Sequence, residues 1–201
     1  MFELLRNLLN GLAVSFDLPI LDWIAANVWC PALDVLMPII TMFGDGGIFW
    51  IVISLVLIFT KKHRRTGLGM AFALIMGLLV CNIILKPGVA RIRPYDFQLE
   101  YFAKEIQLIA GGMHDYSFPS GHTIACFEGC TALMRGNKKF GIPATVLAVL
   151  VAFSRLYLYL HYPTDVLASI ILGTLFGLLG YWLAGKCNFT IPYFDKKFHG
   201  D

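Results

Sequence analysis

The sequence predicts an all-α integral membrane protein, a bundle of six transmembrane helices preceded by a helix lying at the membrane surface. Two observations carry that prediction. First, 58% of the 201 residues are hydrophobic and 14% are charged, against about 45–50% and about 25% in a soluble domain. With 16 basic and 13 acidic side chains, the chain has too few charges to clothe a globule of its size in water. Second, two windows, Thr66 to Leu85 and Val166 to Gly185, each approach the ~20 apolar residues that a ~30 Å hydrocarbon core requires. The same composition excludes intrinsic disorder. A net charge of +3 with scattered basic residues argues against a nucleic-acid partner.

In chain order, Met1 to Leu12 sets Phe2, Leu5, Leu8, Leu9 and Leu12 on one helical face and Glu3, Arg6, Asn7 and Asn10 on the other, the pattern of an interfacial helix. Glu3 stands where a signal peptide carries positive charge, and no small-residue cleavage site follows. Ala25 to Phe43 is expected to span despite Pro31, Asp34 and Pro38. Asp45 to Thr60, Pro119 to Met134 and Phe140 to Leu160 are further spans, whose glycines and single polar residues suit helices packed on other helices. Lys86 to Ser117 is the one long polar connection, of 32 residues, and such loops are usually functional. Without repeats or linkers, residues 1–201 read as one domain. The odd number of cysteines, five, argues against a disulfide framework. Cys126 and Cys130 are spaced for a metal pair, but no His or carboxylate completes a ligand set, so they read as small buried residues.

Orientation follows from the basic connections. Lys61, Lys62, Arg64 and Arg65, then Arg135, Lys138 and Lys139, then Lys186, Lys196 and Lys197, are expected on the cytoplasmic side. Alternation places Lys86 to Ser117 and the turn at His161 together on the opposite, extracytoplasmic face.

Three pieces meet there: Lys86-Pro-Gly-Val-Ala-Arg-Ile-Arg93-Pro94, then Pro119-Ser120-Gly121-His122, then Ser154-Arg155 with His161 and Asp165. Lys86, Arg93 and Arg155 supply permanent cations, and the guanidinium groups can fork onto phosphate oxygens. Pro119 can open a helix whose first amides, near Ser120, Gly121 and His122, face an anion at the positive end of a dipole. Gly121 leaves room for close approach and Ser120 adds a hydroxyl donor. Pro163 can open the last helix just after His161. A neutral imidazole can attack phosphorus while a protonated one donates to the leaving oxygen. Asp165, four residues after His161, can fix its tautomer, which assigns His161 as nucleophile. His122, among cations, needs the bound anion to help it hold its proton.

These motifs resemble those of the type 2 phosphatidic acid phosphatases, membrane lipid phosphatases whose superfamily shares its site with vanadium haloperoxidases. The family pattern, Lys-x6-Arg-Pro, Pro-Ser-Gly-His and Ser-Arg-x5-His-x3-Asp, is matched at each defining position between residues 86 and 165. The resemblance implies that Lys86, Arg93, Ser120, Gly121 and Arg155 bind phosphate. It implies further that His161 forms a phosphohistidine, His122 protonates the leaving group, Asp165 supports His161, and no metal or cofactor is needed. The small size and outward site are similar to those of bacterial undecaprenyl diphosphate phosphatases of the cell membrane. Phosphatidylglycerophosphate or phosphatidic acid is the alternative substrate. A non-catalytic anion transporter or scaffold is the rival of another class, but phosphate binding alone needs no nucleophile with an orienting carboxylate. The spans exclude a soluble haloperoxidase.

Four residues stay outside these assignments. Arg91 lies beside the motif without a role, since basic residues near an interface commonly only snorkel. Glu128, about 10 Å below Gly121 on nearly the same helical face, reads as structural, with a lipid groove as the other option. His114 and Asp115 read as a polar loop that could shape the headgroup pocket.

Overall fold

The computed structural model describes residues 1–187, helical wherever regular structure is present; Lys196 and Lys197 lie outside the described residues. Its α-helices are α1 (Phe2–Leu12), α2 (Leu18–Asn27), α3 (Pro31–Thr41), α4 (Ile48–Phe59), α5 (Arg64–Gly77), α6 (Lys86–Val89), α7 (Pro94–Phe102), α8 (Gly121–Gly136), α9 (Lys138–Tyr157) and α10 (Pro163–Ala184). A π-helical segment, Leu78–Leu85, carries α5 onward to Lys86.

Among the described residues five segments are long and apolar enough to cross a membrane: Phe2–Asn27, Pro31–Phe59, Lys61–Phe102, Lys138–Tyr157 and Pro163–Ala184. Contacts decide which do. α10, at 22 residues, measures roughly 33 Å and fixes two ends. At its C-terminal end Arg65 lies 4.4 Å from the Tyr181 ring centre and Thr66 meets Gly136, while His63 packs on Phe140. The basic connections 61–65 and 135–139 therefore share one end, as their charge predicts. Lys86, His122 and His161 share the other, around one cavity.

Phe2–Asn27 stays at that second end throughout. Phe2 lies against Gly88, Asp17 bonds Thr164, and Asp22 accepts from Tyr159. The surface helix expected at the N-terminus thus extends, through a π-helical turn at Ala13–Asp17, to Asn27. The span expected at 25–43 does not form. The backbone leaves the helix between Val28 and Cys30, and α3 starts afresh at Pro31 and stays at the same end, Asp34 accepting from Tyr157 and Thr41 from Arg155. Window apolarity registers α3 but not the turn that severs it from α2. The elements that run from one end of the bundle to the other are α4, α5 with its π-helical extension, α8, α9 and α10.

The bundle is held by close approach of small residues, the way helices associate where lipid competes equally for apolar surface. α10 packs on α5 and α8. A Cβ on Gly177 would come within 2.6 Å of Thr131, and one on Gly180 within 2.3 Å of the Gly69 carbonyl. The core between α4, α5, α8, α9 and α10 contains Trp50, Met70, Cys126, Cys130, Val151 and Val166. Leu167, Ile171, Leu175 and Trp182 face outward from α10 and are exposed, an apolar surface suited to lipid. All five cysteines are free.

Candidate active site

The site is assembled from three helix ends. His161 sits in the short turn that reverses α9 into α10, where Pro163 occupies the first helical turn and needs no N–H partner. The His161 side chain is 1% exposed. Its Nδ1 lies 3.5 Å from Asp165 Oδ2 and 3.5 Å from Ser117 Oγ, and its Nε2 lies 3.3 Å from Arg93 Nη1. A guanidinium only donates, so Nε2 presents its lone pair and the ring proton belongs on Nδ1, toward Asp165. Burial, then the charges of Arg93, Arg155, Lys86 and His122, push the His161 pKa well below the usual value. The ring is neutral at physiological pH, with the Nε2 lone pair toward Arg93.

Asp165 is pinned from several directions. Ser117 Oγ donates to Oδ2 at 2.5 Å, the Tyr162 amide donates to the same oxygen at 3.2 Å, and Arg91 Nη1 donates to Oδ1 at 2.5 Å. Arg91 has the role the sequence left blank. Fully buried, it also donates to Asp17 Oδ2 and the Leu9 carbonyl, and its guanidinium lies 3.7 Å from the centre of the Tyr162 ring. It ties the surface helix to the carboxylate that lies beside His161. Asp17 in turn accepts from the amide and hydroxyl of Thr164, occupying the open N-terminus of α10.

The anion cradle is occupied by a carboxylate of the chain itself. Asp115, in the loop before α8, pairs with Lys86 and with Arg93, whose Nη2 donates at 2.5 Å. Burial opposes its ionisation, but the hydrogen bonds from Lys86 and Arg93 prevail and hold its pKa at about 2. Asp115, Lys86 and His161 line one cavity. Asp115 is therefore part of the pocket and not a bystander in a polar loop, whereas His114 lines a separate pocket with Tyr95 and Arg93. Arg155 donates to Thr41 Oγ1 at 2.7 Å and to Met113 Sδ at 3.0 Å, and its Nε is buried without a partner among the described residues.

At the start of α8 the sequence expectation needs adjustment. Ser120 is the N-cap and Pro119 precedes it, so the proline stands one residue outside the helix. The Ser120 amide donates to Ser169 Oγ at 2.9 Å and its hydroxyl accepts from Thr123 Oγ1 at 3.0 Å, so its amide is not free for phosphate. Gly121 and His122, the next two residues, line the cavity directly. That cavity, about 590 Å³, also takes in Lys86, Asp115 and His161 and continues between α4, α5 and α8 past Ser54, Asn82 and Glu128. Glu128 packs its carboxyl against Gly77 and stands in the wall of this channel.

A model of the PAP2 superfamily matches residues 66–189. The chain belongs to the PAP2 superfamily. It is 30% identical over 143 residues to the undecaprenyl-diphosphatase of Sulfolobus acidocaldarius, an alignment covering 71% of this chain and 66% of that protein. It is 33% identical over 180 residues to phosphatidylglycerophosphatase B of Bacillus subtilis, covering 83% of this chain and 74% of that protein. The crystal structure of a transmembrane PAP2 type phosphatidylglycerolphosphate phosphatase from Bacillus subtilis superposes with a TM-score of 0.69 at 28% identity, covering 94% of this chain and 95% of that one. The protein is a membrane-embedded phosphatase of this superfamily. The resemblance read from the three motifs named the same family.

Proposed function

We propose that the protein hydrolyses the terminal phosphate of undecaprenyl diphosphate through a phosphohistidine at His161, without a metal ion, at the extracytoplasmic face of a bacterial cell membrane. The observation that supports this most is the geometry of His161: buried, neutral, its Nδ1 beside Asp165 and its Nε2 beside Arg93. In this reading Nε2 attacks the terminal phosphorus while Lys86, Arg93 and Arg155, with the amides of Gly121 and His122, take the negative charge that builds on the phosphoryl oxygens. Asp165 accepts from Nδ1–H and stabilises the positive ring. His122 gives a proton to the departing oxygen, then takes one from the water that cleaves the phosphohistidine.

Three cations around one anion suit a diphosphate better than a monoester, and the apolar channel beneath the site suits an isoprenoid chain. A second reading, phosphatidylglycerophosphate, is favoured by the longer and more identical alignment to phosphatidylglycerophosphatase B. Residues 1–201 would act as a single domain. Phosphate release by the purified protein from undecaprenyl diphosphate, phosphatidylglycerophosphate and phosphatidic acid tests the proposal. Undecaprenyl diphosphate should give the highest kcat/KM, and a higher value for either glycerolipid would replace it. Activity should survive a strong chelator and be inhibited by vanadate, which can bond His161 Nε2 in the shape of the transition state. Loss on chelation, restored by a divalent ion, would move the chemistry to a metal-activated water.

A further inference from the structure

The spacing that gives His161 a carboxylate four residues later gives His122 none, yet His122 has one. Its Nε2 lies 2.5 Å from Oδ1 of Asp45, a residue 77 positions earlier in the chain. The segment that delivers this carboxylate is built for it. Gly44 packs so closely on the imidazole that a Cβ would fall 2.8 Å from His122 Cβ and 2.9 Å from Cδ2. Asp45 leaves the helical region at φ −61°, ψ 117°, and Gly46 and Gly47 follow at φ +56° and +67°, values that L side chains rarely adopt. Gly44-Asp45-Gly46-Gly47 is thus a turn whose glycines bring backbone against the ring and aim the one side chain among them at Nε2. His122 Nδ1 makes no hydrogen bond with the described residues, and His122 lines the cavity.

We infer that Asp45 is a positioning residue for the acid step, holding the His122 ring by Nε2 so that Nδ1 delivers the proton to the leaving oxygen. The inference rests on the phosphatase reading above. The charged and titratable groups acting on the ring are Asp45 from the turn after α3, Lys86 from the end of the α5 extension, Arg155 from α9 and His161 from the α9–α10 turn. Burial, Lys86 and Arg155 all disfavour a positive imidazole; Asp45 opposes them in part, and the negative charge of the bound phosphate supplies the rest. When His161 Nε2 forms its bond to phosphorus and the bond to the leaving oxygen breaks, the proton on His122 Nδ1 moves to that oxygen. A water oxygen then attacks phosphorus, its proton passes to Nδ1, and the N–P electron pair returns to His161 as inorganic phosphate leaves. Asp45 stays ionised throughout.

The test compares Asp45→Asn, which keeps shape and loses charge, with Asp45→Glu, which keeps charge on a longer arm. Each is assayed on a lipid alkyl phosphate or diphosphate and on a nitrophenyl phosphate carrying an apolar tail, whose phenolate leaves without a proton. Wild-type turnover of the lipid substrate comes first; its absence would sink the phosphatase reading itself. Given that turnover, Asp45→Asn should lower kcat on the lipid substrate about tenfold to a hundredfold, part of the ~10²–10⁴ that acid catalysis contributes. It should shift the high-pH limb of the lipid profile downward and lower the nitrophenyl rate by less than about threefold. Asp45→Glu should recover part of the loss, and Asp45→Asn should add nothing to His122→Ala. Equal losses on both substrates, full activity of Asp45→Asn, better function of Asn than Glu, or additive losses with His122→Ala would overturn the assignment.

Discussion

The two histidine–aspartate pairs differ in how the fold holds them. The His161–Asp165 pair is sealed: His161 is 1% exposed and Asp165 fully buried, and the carboxylate is fixed by Ser117, Tyr162 and Arg91. The His122–Asp45 pair is open on one side only: His122 is 11% exposed, while Asp45, carried by a glycine turn, is 57% exposed. A nucleophile needs one rigid geometry in a medium that keeps its ring neutral. The group that serves the leaving oxygen must sit where a lipid enters and departs, and an open mouth allows that exchange. Under the proposed mechanism, burial and enclosure follow the division of chemical labour.

The largest effect is expected from His161→Ala, which should abolish turnover and phosphoenzyme formation with every leaving group. His122→Ala should slow lipid hydrolysis by ~10²–10⁴-fold, while the tailed nitrophenyl phosphate should partly rescue it and leave His161→Ala inactive. Equal rescue of both variants would erase the distinction between the pairs. Arg91→Ala acts on the sealed side alone. Removing it strips two buried carboxylates, Asp17 and Asp165, of their cation, and breaking such a pair costs about 3–5 kcal/mol. Thermal or denaturant unfolding in detergent should register that loss, and an unchanged midpoint would contradict the role given to Arg91.

A smaller effect concerns pH. Because burial depresses the folded His161 pKa, the unfolded chain binds a proton near its ordinary value of about 6.5 while the folded chain does not. Stability tied to His161 is thus intact above about 6.5 and falls as the pH drops below it. His161→Gln should flatten that acid slope in an unfolding series from neutral to mildly acidic pH. An identical slope would mean that the ring charges in the folded protein. The smallest effect is expected at the mouth. Asp115→Asn should bind inorganic phosphate or vanadate several-fold more tightly, since the substituted side chain no longer competes as an anion for Lys86 and Arg93. Weaker binding would assign Asp115 a supporting role in the cradle.

The parts of this site that were legible in the sequence are those whose geometry is local. His161 and Asp165 lie one helical turn apart, and Lys86 and Arg93 share one short stretch, so spacing alone brings them together. What escaped are partners chosen by tertiary packing. Asp17 meets Arg91 because a surface helix expected to end near Leu12 runs on to Asn27, and Asp45 meets His122 because the turn at 44–47 between α3 and α4 packs on the start of α8. The run Gly44-Asp45-Gly46-Gly47 was itself a signal: three glycines around one carboxylate cost helix stability and invite the question of what the bend serves. Ser117 carried no comparable mark, since a serine two residues before a proline reads as ordinary loop. The misjudged span at 25–43 has the same root, because hydropathy reports how apolar a segment is and not where its backbone turns.

The identity of the phosphorylated atom decides between a His161 nucleophile and every other arrangement of the site. Rapid quenching of the wild-type protein with labelled lipid phosphate, followed by alkaline workup and peptide mapping, should recover an acid-labile phosphohistidine at residue 161 with phosphorus on Nε2, the nitrogen turned away from Asp165. Label at His122, on Nδ1 of His161, or on no residue while phosphate is still released, would contradict it.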